Sequence, residues 1–501
     1  AVGNRDDVEA HRGPDTEVLD LGDHVLYPGF VEPHAHLWVS AVIDHWVDCS
    51  PITNGDLTAI HDALARAAAA LPADGWLMGK QFDPSLLDGE PELTRDILDE
   101  IAPDHPAIVL NASMHYVYAN SRAIAAAGLD DSSQAPDGGT FGRDAAGRLN
   151  GSFGEMPAIG RVLASAPLTT PDQLRENVVD VLTTAARRGV TKLHEAGTGA
   201  MFGAGEIDIV HGLAQEGRLP TRLTLAIFDN AAKAFAATPI VPHAGDDLVR
   251  TTSWKIVADG SNQGRSGFQE QPYLGTDDTG HANYPIDYLV DTIRARAEAG
   301  WQVMVHANGD AAIEQVVTAY ERALDGLADA ELRHRIEHCS IPTDDHLARM
   351  AATRVSPSFL MNHVYYWGRA FRDRIFGAAR AGRLDPVASA RRHGLRPTLH
   401  SDYNVTDIDP LLSVQTAVTR VMRDGGEVLN PEECDSVEAA LRAVTIDAAW
   451  QTHSDDVIGS IEVGKYADLV VLDADPQLVD PHTIGAIGVV ATYLAGRRIE
   501  A

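Results

Sequence analysis

Hydrophobic positions in the chain fall into short runs rich in β-branched residues, separated by longer stretches in which apolar residues recur every three to four positions. The first pattern is typical of buried strands and the second of amphipathic helices. Clear helices are predicted in the stretches 284–300 and 310–328, on either side of one such run. Alternation of this kind predicts an α/β protein in which βα units surround a parallel sheet.

Eight strands are predicted from these runs. In chain order they read LYPGFVEPHAHL, GVTKLHEAG, RLTLAIFDN, SWKIVADGS, WQVMVHANGD, RHRIEHCS, RVSPSFLMN and RPTLHSDYN. Eight βα units predict a (β/α)8 TIM barrel, in which the loops at the C-terminal ends of the strands build the active site. No run is followed by G-x-G-x-x-G and no long repeat appears, which argues against a dinucleotide-binding fold and a repeat architecture.

Two parts of the chain are not accounted for by the eight βα units of the barrel. The region from about 50 to 170 is too long for one crossover and contains the Gly/Asp-rich stretch DDSSQAPDGGTFGRDAAGRLNGS, so we expect an inserted subdomain that overhangs the barrel mouth. Strand-rich stretches near both ends predict a small β-sandwich built from both termini. The expected domains are 1–27 for the N-terminal part of the sandwich, 28–440 for the barrel with its insertion, and 441–501 for a C-terminal helix and the remainder of the sandwich.

Composition narrows the class of partner and the compartment. With 501 residues and 45% hydrophobic content the chain can bury a large core, and its formal charge of −32 argues against nucleic acid or an anionic membrane as a partner. No apolar stretch approaches the roughly 20 residues that span a bilayer, and no basic-then-apolar leader opens the chain. The three cysteines are far apart, which favours a reducing compartment. We therefore expect a cytoplasmic protein with a small-molecule substrate; a homodimer is compatible with these properties.

Residues able to bind a divalent cation stand at the ends of five predicted strands. His34 and His36 end the first strand, where alternate side chains point the same way and can hold one ion. This pair alone is not diagnostic, because 21 histidines in 501 residues make about one His-x-His expected by chance. Further candidates follow later strands, namely Lys255 on the fourth, His306 on the fifth, His338 on the sixth and Asp402 on the eighth. Corresponding strand ends of one barrel bring such residues together, and their nitrogen and oxygen atoms suit zinc.

Several stretches, in the same order and spread over nearly the whole chain, also resemble a known family. They include PGFVEPHAHL, GVTKLHEAG, WKIVADGS, VHANGDAAIEQVVTAYE, RHRIEHC, SDYNVTDIDPLLSVQTAVTR and GSIEVGKYADLVVLDADP. They are similar to the amidohydrolase superfamily, specifically to amidohydrolase family 3 with its YtcJ-like proteins and N-substituted formamide deformylases. The resemblance implies one or two divalent metal ions, most often zinc, with the ligands His34, His36, Lys255, His306, His338 and Asp402.

The implied chemistry is hydrolysis by metal-activated water. A divalent ion lowers the pKa of bound water and polarises a carbonyl oxygen, while Asp402 is expected to take the proton of the water and deliver it to the leaving nitrogen. A buried Lys255 can add carbon dioxide and become an N6-carboxylated ligand that bridges two ions; the alternative is a lysine in a structural ion pair.

The predicted activity is hydrolysis of a carbon–nitrogen bond other than a peptide bond, in a linear amide, an N-substituted formamide or a carbamate. Two alternatives stay open. One is a deaminase or a cyclic amidase that uses the same metal site. The other is a non-catalytic regulator or binding protein on an amidohydrolase fold, since a fold does not determine a function.

Substrate contacts are predicted after the seventh strand and in the insertion. The stretch MNHVYYWGRAF places His363, Tyr365, Tyr366 and Trp367 on a loop at the active-site face, where aromatic rings either line a pocket or pack against the insertion. Residues His115 and Glu155, in segments that resemble the family, are expected to reach the site from the insertion.

For three further polar residues, the sequence leaves two possible roles open. Arg265 either recognises a substrate carboxylate or forms a surface ion pair. We expect Glu195 and Asp310 to orient neighbouring groups or to cap a helix.

Overall fold

A nearly closed barrel of eight parallel strands forms the centre of the computed structural model, which describes residues 2–167, 169–235, 240–327 and 331–500. Its strands are β1 Phe30–Ala35, β2 Val190–Thr198, β3 Arg222–Phe228, β4 Val249–Val257, β5 Gln302–Ala307, β6 Arg335–His338, β7 Ser356–Phe359 and β8 Thr398–Leu399. They pair in chain order, and a bridge between Ala35 and Tyr403 brings the last strand beside the first. The predicted TIM barrel is confirmed, and each strand overlaps the run that predicted it, although β4 begins before its run at Val249 and β2 ends just after its run at Thr198.

The barrel strands are covered on both faces, which explains why they read as continuous apolar runs. All nine residues of β2 are buried. The helices that follow or precede the strands are Pro171–Arg187, Gly205–Gln215, Ile286–Glu298, Asp310–Leu324, Asp344–Thr353, Val387–Arg392 and Pro410–Thr419. The helices predicted in the stretches 284–300 and 310–328 are both present. Among the described helices, none has the length and apolar character needed to cross a bilayer.

The chain between β1 and β2 forms the expected inserted subdomain, a six-stranded sheet with its own helices. Its strands are Val47–Asp48, Leu77–Phe82, Ala107–Asn111, Tyr116–Ala119, Thr140–Arg143 and Leu149–Gly154, and its helices are Pro51–Asn54, Leu57–Ala69, Arg95–Ile101, Ser121–Ala126 and Met156–Leu163. The amide Nε2 of Gln81 donates to the carbonyl oxygen of Asn404, 2.6 Å away. Since Asn404 follows β8, this contact holds the insertion over the C-terminal mouth of the barrel.

The two ends of the chain meet in a four-stranded antiparallel sheet, made of Val25–Pro28, Leu469–Leu472, Val489–Leu494 and Arg497–Arg498. The sandwich predicted from both termini is therefore one sheet among the described residues. Val18 and Leu19, in a stretch expected to be strand-rich, are largely exposed and belong to no strand. The helices outside the barrel and the insertion include Arg5–Glu9, Leu37–Ile43, Val437–Ala443 and Ile446–Gln451.

Candidate active site

The first barrel strand brings His34 and His36 to the mouth. The His34 side chain is fully buried, and that of His36 is 19% exposed. A helix begins at Leu37, directly after the pair, and the Glu195 carboxylate of β2 accepts hydrogen bonds from the backbone N–H groups of Leu37 and Gly197. Glu195 thus fixes the chain that follows His36, the supporting role expected for it. Burial, with the nearby Glu206 carboxyl, raises the pKa of Glu195 to about 8.

Asp402 is the common neighbour of the predicted ligands. Its Oδ1 atom lies 3.3 Å from Nε2 of His34 and 3.2 Å from Nε2 of His36, while its Oδ2 atom lies 3.8 Å from Nδ1 of His338. Burial alone would raise the pKa of the Asp402 carboxyl, but the surrounding histidines, led by His338, hold it well below its usual range. Asp402 therefore keeps a negative charge at the centre of the mouth.

The remaining predicted ligands join the same cluster. The rings of His306 and His338 are 4.6 Å apart between centroids, and those of His338 and His34 are 5.0 Å apart. The Nε2 atom of His306 lies 3.0 Å from the carbonyl oxygen of Gly260, and its other ring nitrogen, Nδ1, does not make this contact. The structure thus brings together His34, His36, His306, His338 and Asp402, as the barrel register predicted.

Lys255 is almost fully buried beside this cluster. Its Nζ atom is 3.5 Å from Nε2 of His34, and no carboxylate of the described residues lies within 4.0 Å of it. Burial lowers the pKa of Lys255 to about 8, against the opposing charges of Glu337 and Asp402. The structural ion pair that was the alternative role for this lysine is thus not formed by the described residues.

A buried pair that the sequence analysis did not single out supports His34 from below. The Glu337 carboxylate accepts a short hydrogen bond from Nδ1 of His34 and two from Arg335, at 2.8 Å from Nε and 2.7 Å from Nη2. Arg335, followed by His34, holds the pKa of Glu337 well below its usual range despite burial. The available signal was the presence of two charged residues inside an otherwise buried strand, because such residues require partners.

His400 was also missed, although it stands two residues before Asp402 at the same strand end. Its ring lies 4.7 Å from that of His34 and 5.1 Å from that of His338, and neither of its nitrogens has a hydrogen-bond partner among the described residues. The Nδ1 atom of His338 likewise has none. Potential ligand atoms of His34, His36 and Asp402 lie within 4.8 Å of one another, as do those of His34, Glu337 and His400. Buried nitrogen and carboxylate atoms with unused capacity fit a bound cation.

The insertion brings two of the predicted substrate contacts to this cluster. The Nδ1 atom of His115 lies 2.9 Å from Oε2 of Glu155, and the His115 ring lies 6.2 Å from that of His306. A backbone hydrogen bond of 2.8 Å from Glu155 to His115 holds the two segments together. Burial opposes protonation of His115, but the Glu155 carboxylate outweighs it and raises the histidine pKa.

The stretch expected as a loop after β7 is instead helical, because His363–Trp367 form a π-helical turn that continues directly into the helical turn Gly368–Ala370. Its side chains divide between the site and the packing against the insertion. His363 is buried, and this burial lowers its pKa to about 4, with Asp402 and His306 as the other charges acting on it. Trp367 is also buried, and its Nε1–H donates to Oδ2 of Asp83 in the insertion at 2.8 Å. The rings of Tyr365 and Tyr366 meet edge to face, with their centroids 4.9 Å apart. For Trp367 the structure thus shows the packing alternative.

Arg265 and Asp310 make polar contacts beside the mouth. The Nη2 atom of Arg265 lies 2.8 Å from Oε2 of Glu90, so its guanidinium forms an ion pair with the insertion, the second of the two alternatives. The Asp310 carboxylate accepts hydrogen bonds of 2.8 Å from the backbone N–H of Glu270 and from Arg383, and so ties neighbouring segments together.

Comparison with known proteins decides the family. Residues 17–499 match the model of the amidohydrolase family. The chain belongs to the amidohydrolase family. Among relatives, it is 28% identical over 505 residues to the N-substituted formamide deformylase of Arthrobacter pascens, covering 99% of this chain and 92% of that protein. It is 27% identical over 499 residues to the putative amidohydrolase YtcJ of Bacillus subtilis strain 168, covering 98% and 91%.

Solved structures agree on the fold of this amidohydrolase. An uncharacterised metal-dependent hydrolase from Pyrococcus horikoshii OT3 superimposes with a TM-score of 0.73 at 19% identity, over 95% of this chain and 91% of that one. At this identity the likeness concerns the fold alone. Family membership, together with hydrolase relatives along the whole chain, supports a hydrolytic enzyme.

Proposed function

We propose that this amidohydrolase is a metal-dependent hydrolase of a carbon–nitrogen bond in a small linear amide, N-substituted formamide or carbamate. The observation that carries the proposal is the approach of His34 Nε2 and His36 Nε2 to one oxygen of Asp402, at 3.3 and 3.2 Å. A relative named as an N-substituted formamide deformylase, similar along nearly the whole chain, supports this class of substrate.

The residues that would hold the metal are those of the mouth cluster together with Lys255 beside it. They are His34, His36, Lys255, His306, His338 and Asp402. Their nitrogen and carboxylate donors favour zinc, and a carboxylated Lys255 would add the anionic bridge that a second ion requires. A divalent ion bound there supplies a Lewis acid for a carbonyl oxygen and makes water acidic enough to lose a proton near neutral pH.

The protein's own groups then move protons and orient the reactants. Asp402, ionised and central, accepts the proton of the attacking water and returns it to the leaving nitrogen. Glu337 keeps the ring of His34 in one orientation because it accepts the Nδ1–H, which leaves Nε2 facing Asp402. From the side of the insertion, His115 contacts the bound substrate, and the Glu155 carboxylate holds the His115 ring in place.

The test is a substrate panel measured on metal-loaded and chelator-treated protein. The panel contains N-substituted formamides, N-acyl amino acids, linear carbamates and cyclic ureides. The proposal expects turnover of a linear member, loss of that turnover with the chelator and its return with added zinc. Turnover confined to cyclic ureides or to amine release from a ring would replace the proposal with a cyclic amidase or a deaminase.

A further inference from the structure

Behind the π-helical turn His363–Trp367 that follows β7, two buried polar groups face each other, and neither has a hydrogen-bond partner among the described residues. The Nδ1 atom of His363 has no hydrogen-bond partner among the described residues, and neither carboxyl oxygen of Asp385 has one. Nδ1 lies 3.9 Å from Oδ2 of Asp385. A buried polar atom without a hydrogen-bond partner lowers stability, and a hydrogen bond between these two groups would satisfy both.

Among the described residues, no other polar group forms a hydrogen bond with Nδ1 of His363. The rings of Trp367 and Phe371 meet the His363 ring edge-on, at 5.8 and 5.5 Å between centroids. Both side chains are fully buried, and the indole N–H of Trp367 is already given to Asp83. The apolar walls thus direct Nδ1 towards Asp385.

The backbone of Asp385 is anchored, so its carboxyl group stays in place. Its N–H donates to the carbonyl oxygen of Ser340 at 2.7 Å, and its own carbonyl oxygen accepts from Nη1 of Arg420 at 3.1 Å. Arg420 also donates hydrogen bonds to the carbonyl oxygens of Leu384 and Leu429, at 2.6 and 2.7 Å. The guanidinium therefore braces the loop and does not pair with the carboxyl group.

We propose that Asp385 positions His363 through a hydrogen bond to Nδ1, so that the Nε2–H on the other side of the ring donates to the carbonyl oxygen of the scissile bond. The inference rests on the proposed hydrolase function and assigns a residue that touches the substrate, His363, and a positioning residue behind it, Asp385. Such a donor is neutral and fixed in place, and it acts where negative charge develops during attack on the carbonyl.

The electrostatics of both groups agree with this arrangement. Burial raises the pKa of Asp385 well above its usual range, although Arg420 opposes this, and so favours the protonated carboxyl group that can donate to Nδ1. The other titratable group that faces it is Cys339, whose own pKa burial raises well above the usual range. Burial lowers the pKa of His363 to about 4, and the other charges that act on it are those of Asp402 and His306 in the mouth cluster. A protonated carboxyl that donates to Nδ1 selects the tautomer with the proton on Nε2.

The test combines three variants of the metal-loaded enzyme on a substrate that the parent hydrolyses. Asp385→Leu removes the hydrogen bond while keeping bulk, and should lower kcat roughly 10-fold to 100-fold with KM little changed. Asp385→Asn retains a donor of similar shape and should stay within a few-fold of the parent. His363→Phe should lower kcat roughly 100-fold, and the double variant Asp385→Leu with His363→Phe should be no slower than His363→Phe alone.

A spectroscopic readout separates positioning from packing. Nitrogen-15 spectra of histidine-labelled protein, with the His363 signals assigned by their loss in His363→Phe, should show a proton on Nε2 and none on Nδ1. A proton on Nδ1, additive effects in the double variant, or Asp385→Leu at the parent rate would each overturn the proposal. If Asp385→Leu fails to fold, His363→Phe at the parent kcat overturns it. A parent enzyme without any turnover instead refutes the hydrolase function itself.

Discussion

Asp402 combines an ionised carboxyl with contacts to three histidines, and this suits it to proton transfer. Asp402→Asn keeps the size of the side chain but removes the base. We expect kcat on a confirmed substrate to fall by roughly 10²-fold to 10⁴-fold. Steady-state kinetics with metal content measured in parallel checks this, with the exposed Asp277→Asn as the matched control. Parent-rate turnover by Asp402→Asn with unchanged metal would leave Asp402 as a positioning group.

Lys255 gives a second prediction at the level of one residue. Its buried amine has no carboxylate partner among the described residues, and addition of carbon dioxide would give it a negative charge that suits the proposed metal site. Native mass spectra should show the mass of one carbon dioxide, localised to Lys255, and Lys255→Ala should regain activity with added short carboxylates.

Lys192 is the internal control for this modification. It is equally buried, but its Nζ atom donates to the carbonyl oxygen of Thr452 at 2.9 Å and to the Ser454 hydroxyl, away from the mouth cluster. It should carry no added mass. An unmodified Lys255 in metal-loaded, active protein would favour a site with one ion.

At the level of secondary-structure elements, the sequence and the structure agree best where local pattern decides the outcome. The eight barrel strands were predictable because strands buried on both faces read as continuous apolar runs. The insertion was predictable from the excess chain length between the first two strands and from the Gly/Asp-rich stretch within it. The contact of His34 with Glu337 and the 3.9 Å approach of His363 to Asp385 were not, because each involves residues on different elements and follows no local periodicity.

The hydrogen bond from Trp367 to Asp83, which joins the barrel to the insertion, provides a prediction about stability. Trp367→Phe removes the N–H that Asp83 accepts and leaves a buried carboxylate oxygen with one partner fewer, which should lower the free energy of unfolding by about 1–3 kcal/mol. Urea unfolding measures this. Trp38→Phe is the matched control, since the indole Nε1 of Trp38 has no hydrogen-bond partner among the described residues. Equal losses for the two variants would show that packing alone matters at both positions.

At the scale of the whole molecule, buried histidines make stability depend on pH. Burial lowers the pKa of His334 from 6.5 to about 4, while its Nδ1 accepts the backbone N–H of Val303 at 3.0 Å. Because the unfolded chain binds the proton more readily, this contribution is complete above pH 6.5 and is lost as the pH falls from about 6.5 to about 4, on the order of 3 kcal/mol.

The variant His334→Asn isolates this contribution, because its side-chain oxygen accepts the same hydrogen bond and does not titrate. Its unfolding free energy should fall less than that of the parent between pH 6.5 and 4. The exposed His24→Asn should follow the parent curve. Identical slopes for His334→Asn and the parent would refute a neutral buried histidine at this position.

The central claim is that the barrel mouth holds a catalytic metal ion, and metal content measured together with activity tests it most directly. Elemental analysis of purified parent protein should find close to one or two equivalents of zinc or a similar cation. The double variant His34→Ala with His36→Ala, confirmed as folded by circular dichroism, should lose both the metal and the turnover. Full metal content and parent turnover in the folded double variant would contradict the account.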